Sequence, residues 1–184
     1  MIQLANNDAE RQEVLDFFLK IFDDIDSNAV PMTAHDDLYR PLVVQYRDNA
    51  SGRLVGAALS CRAQVAAGSA LMIKRGAQLP PANDYSAVLD RHSELDLMGV
   101  APEARNQGIG TQMLSYLEKR LRSQGVRVWF GNVTSDLEVD RLRKFYASHG
   151  FTVLDTGQPL PPFLGRTWIS PSAIPPAYYF YKKL

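Results

Sequence analysis

The stretch ELDLMGVAPEARNQGIGTQML, residues 94–114, constrains the fold more than any other part of the chain. Its first seven residues predict a strand, and residues 109–124 place apolar side chains on one face of a helix: Met113, Leu114, Leu117 and Leu121. Between the two lie Gly108 and Gly110, with Arg105 just ahead of them. A strand that turns through glycines into an amphipathic helix is a building unit of α/β folds.

The glycine turn is consistent with a plain loop, a helix cap or a phosphate site. Its glycines let a ligand approach the main chain closely, and a helix start offers unpaired N–H groups and the positive end of its dipole. Two nucleotide motifs are excluded. The Walker A pattern needs a lysine where Thr111 follows Gly110, and the dinucleotide pattern needs a glycine where Met113 stands.

The rest of the chain supplies further strands and helices. Strands are predicted at 1–5, 42–48, 53–65, 126–133, 151–156 and 177–184. A helix is predicted over 8–24 with Asp8 as its cap, and another after the capping-box pattern of Ser135 and Glu138. This order predicts an α/β domain with a mixed sheet covered by helices on both faces.

The chain of 184 residues suits one domain. We therefore expect a single domain over 1–184, in which 66–92 form an irregular excursion and 157–177 a proline-rich loop on the substrate side. The one cysteine, Cys61, lies in the apolar run LVGAALSC and is predicted to be a buried strand thiol rather than a nucleophile.

Charge and hydropathy exclude several classes of partner. Twenty basic residues balance twenty acidic ones, so no global field favours nucleic acid or an anionic membrane. No apolar run approaches the roughly 20 residues of a membrane span, and the N-terminus lacks the apolar core of a signal peptide. The expectation is a cytoplasmic protein with neither nucleic acid nor membrane as its partner.

Two motifs together resemble the GNAT superfamily of acetyl-CoA-dependent N-acetyltransferases. The first is R-x-x-G-x-G from Arg105 to Gly110, and the second is FYASHGF, whose tyrosine is Tyr146. The resemblance covers residues 94–155. It implies the GNAT fold, a mixed and largely antiparallel sheet of six to seven strands flanked by helices on both faces. It also implies acetyl-CoA as co-substrate and an amine as acceptor.

The resemblance assigns residues to the cofactor. It implies that a run of main-chain amides holds the pyrophosphate of coenzyme A: Arg105, Asn106, Gln107, Gly108, Ile109, Gly110 and Thr111. Met98, Gly99 and Val100 would pair their backbone with the pantetheine arm. A close approach of ligand is one reason for Gly99 in a strand, and a bulge is the other.

The resemblance also implies catalytic roles. Tyr146 matches the general acid, whereas a core tyrosine with a satisfied hydroxyl is the alternative. Glu94 matches the catalytic glutamate of some members, and Asp96 shares its strand face, so either carboxylate or an ordered water could serve as base. A solvent-facing charge is the alternative for Glu94. The family often has an asparagine where this chain has Val139, and Asn132 could offer a polar contact to the cofactor instead.

The acceptor side is predicted less closely. Residues 21–39 carry five aspartates and neither lysine nor arginine, which favours a polar or cationic primary amine on a small molecule or a peptide N-terminus. A solvated acidic loop is the alternative. The proline-rich loop adds Phe163, Arg166 and Trp168. We expect a monomer or homodimer. Two other functions remain open, a non-catalytic acyl-CoA-binding module and a phosphate-binding regulatory domain.

Overall fold

The structure, a computed structural model, describes residues 1–23, 25–62, 90–162 and 176–184. Its helices are α1 (Asp8–Ile21), α2 (Asp36–Tyr39), α3 (Ile109–Ser123) and α4 (Val139–Ser148). Its strands are β1 (Ile2–Leu4), β2 (Leu42–Arg47), β3 (Leu54–Cys61), β4 (His92–Val100), β5 (Val128–Thr134), β6 (Thr152–Val153) and β7 (Pro176–Lys183). Most of the predicted 66–92 excursion and residues 163–175 of the proline-rich loop lie outside the described residues.

The seven strands follow the order β1-β2-β3-β4-β5-β7-β6. Strand β2 runs antiparallel to both β1 and β3, and β7 runs antiparallel to both β5 and β6. This confirms the predicted α/β class and the largely antiparallel sheet. The chain divides into two compact units, one of Met1–Cys61 with Leu95–Arg120, the other of Arg62–Glu94 with Leu121–Leu184.

In the first unit, two successive residues of β2 show that helices cover both faces of the strand. The Tyr46 hydroxyl donates to Gln112 of α3 (3.4 Å), and the Arg47 guanidinium binds Glu13 of α1. Neighbouring side chains of a strand point to opposite faces, so α3 and α1 lie on opposite sides of β2. The four apolar residues predicted on one face of α3 are all buried, as are Val14, Leu15 and Phe18 of α1.

The start of α1 differs from the prediction. Asn7, not Asp8, caps the helix, because its side chain accepts a hydrogen bond from the amide of Glu10 (2.9 Å). Asp8 instead accepts from the amide of Thr33 (2.7 Å), 25 residues further along the chain. Asparagine and aspartate are both favoured at an N-cap. The contact with Thr33 engages Asp8 elsewhere, and Asn7 is the cap.

The second unit is organised around β7. It pairs with β5 from Val128–Lys183 through Asn132–Tyr179, and with the short strand β6 through Thr152–Tyr181. Trp129 and Phe180 are fully buried, and the Trp129 ring packs against Phe151 with ring centroids 5.1 Å apart.

The predicted capping box is wrong. Residues 135–137 form a turn in which Leu137 N donates to Thr134 O (3.3 Å), and α4 begins only at Val139. Glu138 occupies the N-cap position without a side-chain cap and forms an ion pair with Arg141 (2.7 Å). Because β5 extends to Thr134, Ser135 lies too early in the chain to cap the helix.

Candidate active site

The turn between β4 and α3 is held against β3 by backbone hydrogen bonds. Ala101 N donates to Val55 O (2.9 Å), and Pro102–Ala104 form one turn of 3₁₀ helix. Arg105 follows in an extended conformation, and its Nε donates to Val100 O (3.3 Å). These hydrogen bonds therefore fix the backbone conformation of the chain where it leaves β4 and enters the predicted glycine turn.

Two residues of this turn have left-handed backbone conformations. The φ angle of Asn106 is 62° and that of Gly108 is 73°. Left-handed residues alternating with others place successive N–H groups around a concavity that binds anions. A Cβ built on Gly108 would have no other atom within 4 Å, so its backbone angle, not crowding, requires glycine, and the space beside it is open.

The amides of this turn are available to a ligand. Within the described part of the chain, the N–H groups of residues 106–110 donate to no acceptor, and Gln112 N begins the helical pattern by donating to Gly108 O (3.0 Å). Residues 105–108 are exposed. We call residues 105–111 the amide cradle. Its N–H groups and the positive end of α3 suit an anion such as a diphosphate.

Gly56 of β3 sets the height of α3 above the sheet. A Cβ on Gly56 would lie 2.9 Å from Ile109 Cγ2 and 3.4 Å from Met113 Sδ. The first turn of α3 therefore rests directly on the β3 backbone, and buried Ile109 anchors the otherwise exposed cradle. Sequence reasoning missed Gly56, because a glycine inside an apolar strand does not reveal which helix lies over it.

The end of β4 contains the residues predicted to pair with pantetheine. Met98, Gly99 and Val100 are half-buried, in contrast to the buried first half of the strand. A Cβ on Gly99 would lie 2.1 Å from Ile21 Cδ1. Packing of α1 is thus sufficient reason for this glycine, and the backbone pairing of these three residues with a ligand stays a prediction.

The two carboxyl groups of β4 differ in their surroundings. Glu94 is only 6% exposed, so it is not the solvent-facing charge considered from the sequence. Asp96 is half-buried, and Oδ2 of its carboxyl lies within hydrogen-bonding distance of Cys61 Sγ on β3. Burial raises the pKa of Asp96 to about 7, while the hydrogen bond from Cys61 acts in the opposite direction. Cys61 is buried, as predicted.

Tyr146 of α4 lies in an aromatic cluster. Its ring stacks on Phe180 with centroids 3.8 Å apart and meets the edge of Phe151 at 5.7 Å. The side chain is 6% exposed, yet its hydroxyl makes no hydrogen bond within the described residues. Burial, with a smaller contribution from Tyr178, raises the pKa of Tyr146, so the phenol stays protonated at neutral pH.

The structure also locates Asn132 and Val139. Asn132 lies half-buried in β5, paired in register with Tyr179 of β7. Val139 begins α4, and its carbonyl accepts a hydrogen bond from the Tyr178 hydroxyl (3.4 Å). Val139 therefore receives a hydrogen bond from the protein through its main chain, and it has no polar side chain to offer a cofactor.

Some aspartates of the acidic segment 21–39 already bind other groups of the protein, so fewer of them are available to attract a ligand than the composition suggests. Arg11 of α1 binds Asp36 through two hydrogen bonds of 2.5 and 3.1 Å, and Asp26 accepts from the amide of Asn28 (2.7 Å). Asp23 and Asp37 are exposed and have no ion-pair partner within the described residues. Asp24, Phe163, Arg166 and Trp168 lie outside the described residues.

Comparison with known proteins identifies the family. A protein-family model described as an acetyltransferase (GNAT) domain matches residues 43–153, which include β4, the amide cradle, α3 and Tyr146. The chain belongs to the GNAT acetyltransferase family. This GNAT protein is therefore an acetyl-CoA-dependent N-acetyltransferase, and acetyl-CoA is its co-substrate. Among curated proteins, the comparison found no significant match.

Solved structures share the fold of this GNAT acetyltransferase over the whole chain. One is an acetyltransferase of the GNAT family from Staphylococcus aureus Mu50, with 15% identity, a TM-score of 0.64, and coverage of 100% of this chain and 98% of that chain. Another is a ribosomal-protein-alanine N-acetyltransferase from Brucella melitensis, with 18% identity, a TM-score of 0.59, and coverage of 100% and 99%. A third is yncA from Salmonella typhimurium with its cofactor acetyl-CoA, with 16% identity, a TM-score of 0.61, and coverage of 100% and 92%.

The amide cradle fits the group that the family implies. Coenzyme A carries a diphosphate, and the cradle combines unpaired N–H groups, left-handed residues and open space beside Gly108. No helix in the described ranges is both long and apolar enough to cross a membrane. The same ranges contain no cluster of three or more histidine, cysteine or acidic side chains that could hold a metal ion.

Proposed function

We propose that this acetyltransferase transfers the acetyl group of acetyl-CoA to a primary amine by direct attack in a ternary complex. The acceptor is a polar or cationic small molecule or a peptide N-terminus. The observation that carries the proposal is the run of unpaired amides at residues 106–110 where α3 begins. In this ternary complex the donor is bound non-covalently, and no acetyl-enzyme intermediate forms. The single thiol of the chain, Cys61, is buried beside a carboxyl.

The donor lies along β4 and over the start of α3. The amides of residues 105–111 hold the diphosphate, and the half-buried residues 98–100 offer backbone groups to the pantetheine arm. Asn132 of β5 provides a further polar contact to the cofactor. Contacts of this kind orient the thioester, and orientation alone can remove several kcal/mol of the barrier.

Two proton transfers accompany the reaction. Acetyl-CoA supplies a thioester, whose carbonyl carbon is attacked by the unprotonated amine. An alkylammonium with a pKa of about 10.4 must lose a proton, and a departing thiolate with a pKa of about 8.5 must gain one. Tyr146 gives that second proton from a phenol that burial keeps protonated. A carboxyl of β4 takes the first, and the candidates are Glu94 and Asp96.

Local charge supports a cationic acceptor. Asp23 and Asp37 remain exposed near the end of α1 and in α2, whereas the charge of Asp36 is balanced by Arg11. Two uncompensated carboxylates attract an ammonium group even though the net charge of the chain is zero. The acceptor's charged amine would then lose its proton only within the site.

The test is release of the coenzyme A thiol from acetyl-CoA across a panel of amines, which includes diamines, amino sugars and short peptides with free or blocked N-termini. We expect turnover with a subset of free amines, and Tyr146→Phe should lower kcat by about 100-fold or more while leaving acetyl-CoA binding unchanged. Because the hydroxyl makes no hydrogen bond within the described residues, the variant should fold normally.

Two results would contradict the proposal. If acetyl-CoA binds but no amine raises turnover, the protein is an acyl-CoA-binding module. If simple nucleotides raise the melting temperature as much as coenzyme A does, it is a phosphate-binding regulatory domain, since stabilisation by a ligand follows its affinity for the folded state.

A further inference from the structure

We propose that Arg53, at the end of the β2–β3 turn, binds the 3′-phosphate of coenzyme A and so makes the enzyme prefer acetyl-CoA to its 3′-dephospho form. The inference rests on the proposed function and deepens its donor site. It assigns a second anion subsite beside the amide cradle, formed by an arginine side chain instead of main-chain amides.

The donor carries two separate phosphate groups on one ribose. The diphosphate joins the ribose to pantetheine, and the 3′-phosphate is attached to the same ring. A phosphate monoester carries a charge of about −1.5 to −2 at neutral pH. The amides of the cradle suit the diphosphate, which leaves the 3′-phosphate for a second group nearby. The planar guanidinium of arginine is the side chain whose donors best match the oxygens of a phosphate.

The main chain places Arg53 beside the approach to the cradle. Asp48 N donates to Arg53 O (2.9 Å) and fixes the backbone where the turn ends. Two residues later, Val55 O accepts from Ala101 N (2.9 Å). The 3₁₀ turn Pro102–Ala104 follows Ala101 and leads into the cradle. The start of β3 therefore lies against the segment from which the cradle begins.

The side chain of Arg53 reaches that 3₁₀ turn. Its Nη2 donates to Oε1 of Glu103 (2.7 Å), two residues before the cradle begins at Arg105. The main-chain carbonyl of Glu103 accepts from Nε2 of Gln107, which belongs to the cradle (3.4 Å). Glu103 therefore links the Arg53 guanidinium to the segment that would hold the diphosphate, and all four residues belong to the same compact unit.

The ion pair leaves Arg53 able to change partner. The side chains of Arg53 and Glu103 are 62% and 55% exposed. An ion pair between exposed side chains contributes little to stability, because water screens the charges and both side chains lose freedom. A phosphate has a larger charge than a carboxylate, and it can accept two parallel hydrogen bonds from the guanidinium. The Arg53 side chain can therefore turn from Glu103 to the 3′-phosphate when the donor binds.

Other arginines of this unit have different surroundings, and one of them provides a matched control. Arg11 and Arg47 form ion pairs with α2 and α1. Arg120 is exposed near the end of α3, about 16 Å along the helix from its first residue. Its guanidinium donates to the Tyr116 hydroxyl (3.1 Å). Replacement of Arg120 removes the same charge from the protein as replacement of Arg53, but far from the cradle.

The experiment is calorimetric titration of the wild type, Arg53→Ala, Arg53→Lys and Arg120→Ala with coenzyme A and with 3′-dephospho-coenzyme A. The readout is the ratio of the two Kd values, which cancels any effect of a variant on the rest of the donor site. The wild type should bind the dephospho form about 10-fold more weakly, the lower end of what a hydrogen bond to a charged group contributes. Arg53→Ala should bring the ratio to about 1, whereas Arg120→Ala should keep the wild-type ratio.

Salt and the conservative variant test how Arg53 acts. Attraction between exposed charges weakens as salt rises, so the ratio should fall with salt in the wild type and stay constant in Arg53→Ala. Arg53→Lys keeps the charge but loses the planar fork, so it should retain part of the preference for coenzyme A. Without ligand, all variants should melt close to the wild type, because both arginines are exposed.

The outcomes separate this inference from the proposed function. Equal binding of the two forms by the wild type would overturn the 3′-phosphate subsite, and an unchanged ratio in Arg53→Ala would overturn its assignment to Arg53. An equal loss of preference in Arg120→Ala would also overturn the assignment, since it would reveal a general effect of charge. These results would leave the cradle and amine acetylation intact, because both forms carry the diphosphate. A preserved ratio without turnover of any amine would contradict the proposed function alone.

Discussion

Gly108 and Gly125 form a matched pair for testing whether the amide cradle binds coenzyme A. Both have left-handed backbone angles, 73° and 79°, and a Cβ built on either would meet no atom within 4 Å. Gly108 lies in the cradle, whereas Gly125 follows the end of α3. Replacement by alanine therefore imposes the same backbone strain at both sites and adds no clash at either.

The strain can be given a magnitude. A non-glycine residue in this conformation costs about 1–2 kcal/mol. For a chain of this size, each kcal/mol lowers the melting temperature by about 2–4 °C, so both variants should melt about 2–8 °C below the wild type. Relaxation of this backbone strain should turn amides away from the diphosphate only in Gly108→Ala, because Gly125 lies outside the cradle. The loss of one charge-assisted hydrogen bond, about 1.5–3 kcal/mol, weakens binding roughly 10- to 150-fold.

The assay pairs thermal unfolding with calorimetric titration of coenzyme A. We expect similar melting temperatures for the two variants, a coenzyme A Kd at least about 10-fold higher in Gly108→Ala, and a Kd close to wild type in Gly125→Ala. Wild-type affinity in Gly108→Ala, or an equal loss of affinity in Gly125→Ala, would refute the reasoning.

Three further predictions concern stability. Gly99→Ala should lower the free energy of unfolding by about 1–3 kcal/mol because its Cβ would strike Ile21. In a double-mutant cycle, adding Ile21→Ala should recover part of that loss, and additive effects would contradict the contact. Arg11→Met should lower the free energy of unfolding, measured in urea, by about 2 kcal/mol, since it removes the donors to Ala5 O (3.2 Å), Pro31 O (3.0 Å) and Asp36. A decrease below about 0.5 kcal/mol would contradict this role of Arg11. The folded-state pKa of Asp96 is raised to about 7 from 3.8, so its protonated form stabilises the fold at low pH and this contribution is lost as pH rises through that window. The stability of wild type relative to Asp96→Asn should therefore fall between about pH 4 and 7, and a flat difference would contradict the raised pKa.

The amide cradle was predictable from sequence because its causes are local. Left-handed glycine, a helix start and a preceding strand all follow from neighbouring residues, and the structure places Gly108 and Ile109 accordingly. The second motif names Tyr146 through its resemblance to the family, and the role of this tyrosine as the general acid stays a prediction. The spacing of apolar residues was also enough to predict the buried face of α3, because this pattern is visible in the sequence whichever element covers the helix.

Contacts between distant segments could not be predicted in the same way. The pairing of Cys61 with Asp96 joins two strands across 35 residues, and the reason for Gly99 is a side chain of α1. Asp8 and Ser135 each suited a helix cap, yet one binds Thr33 and the other lies in a turn. Residue type limits what a position can do, and the tertiary neighbours select among those options.

The most direct test of donor binding by the cradle is amide hydrogen exchange at residues 106–110 with and without coenzyme A. Binding of the diphosphate by these N–H groups predicts slowed exchange across the segment, with no change at Gly52 in the β2–β3 turn. Pantetheine, which lacks the diphosphate, should leave the cradle amides unprotected. Unchanged exchange at residues 106–110 in saturating coenzyme A, or equal protection by pantetheine, would contradict the central claim that this cradle holds the donor.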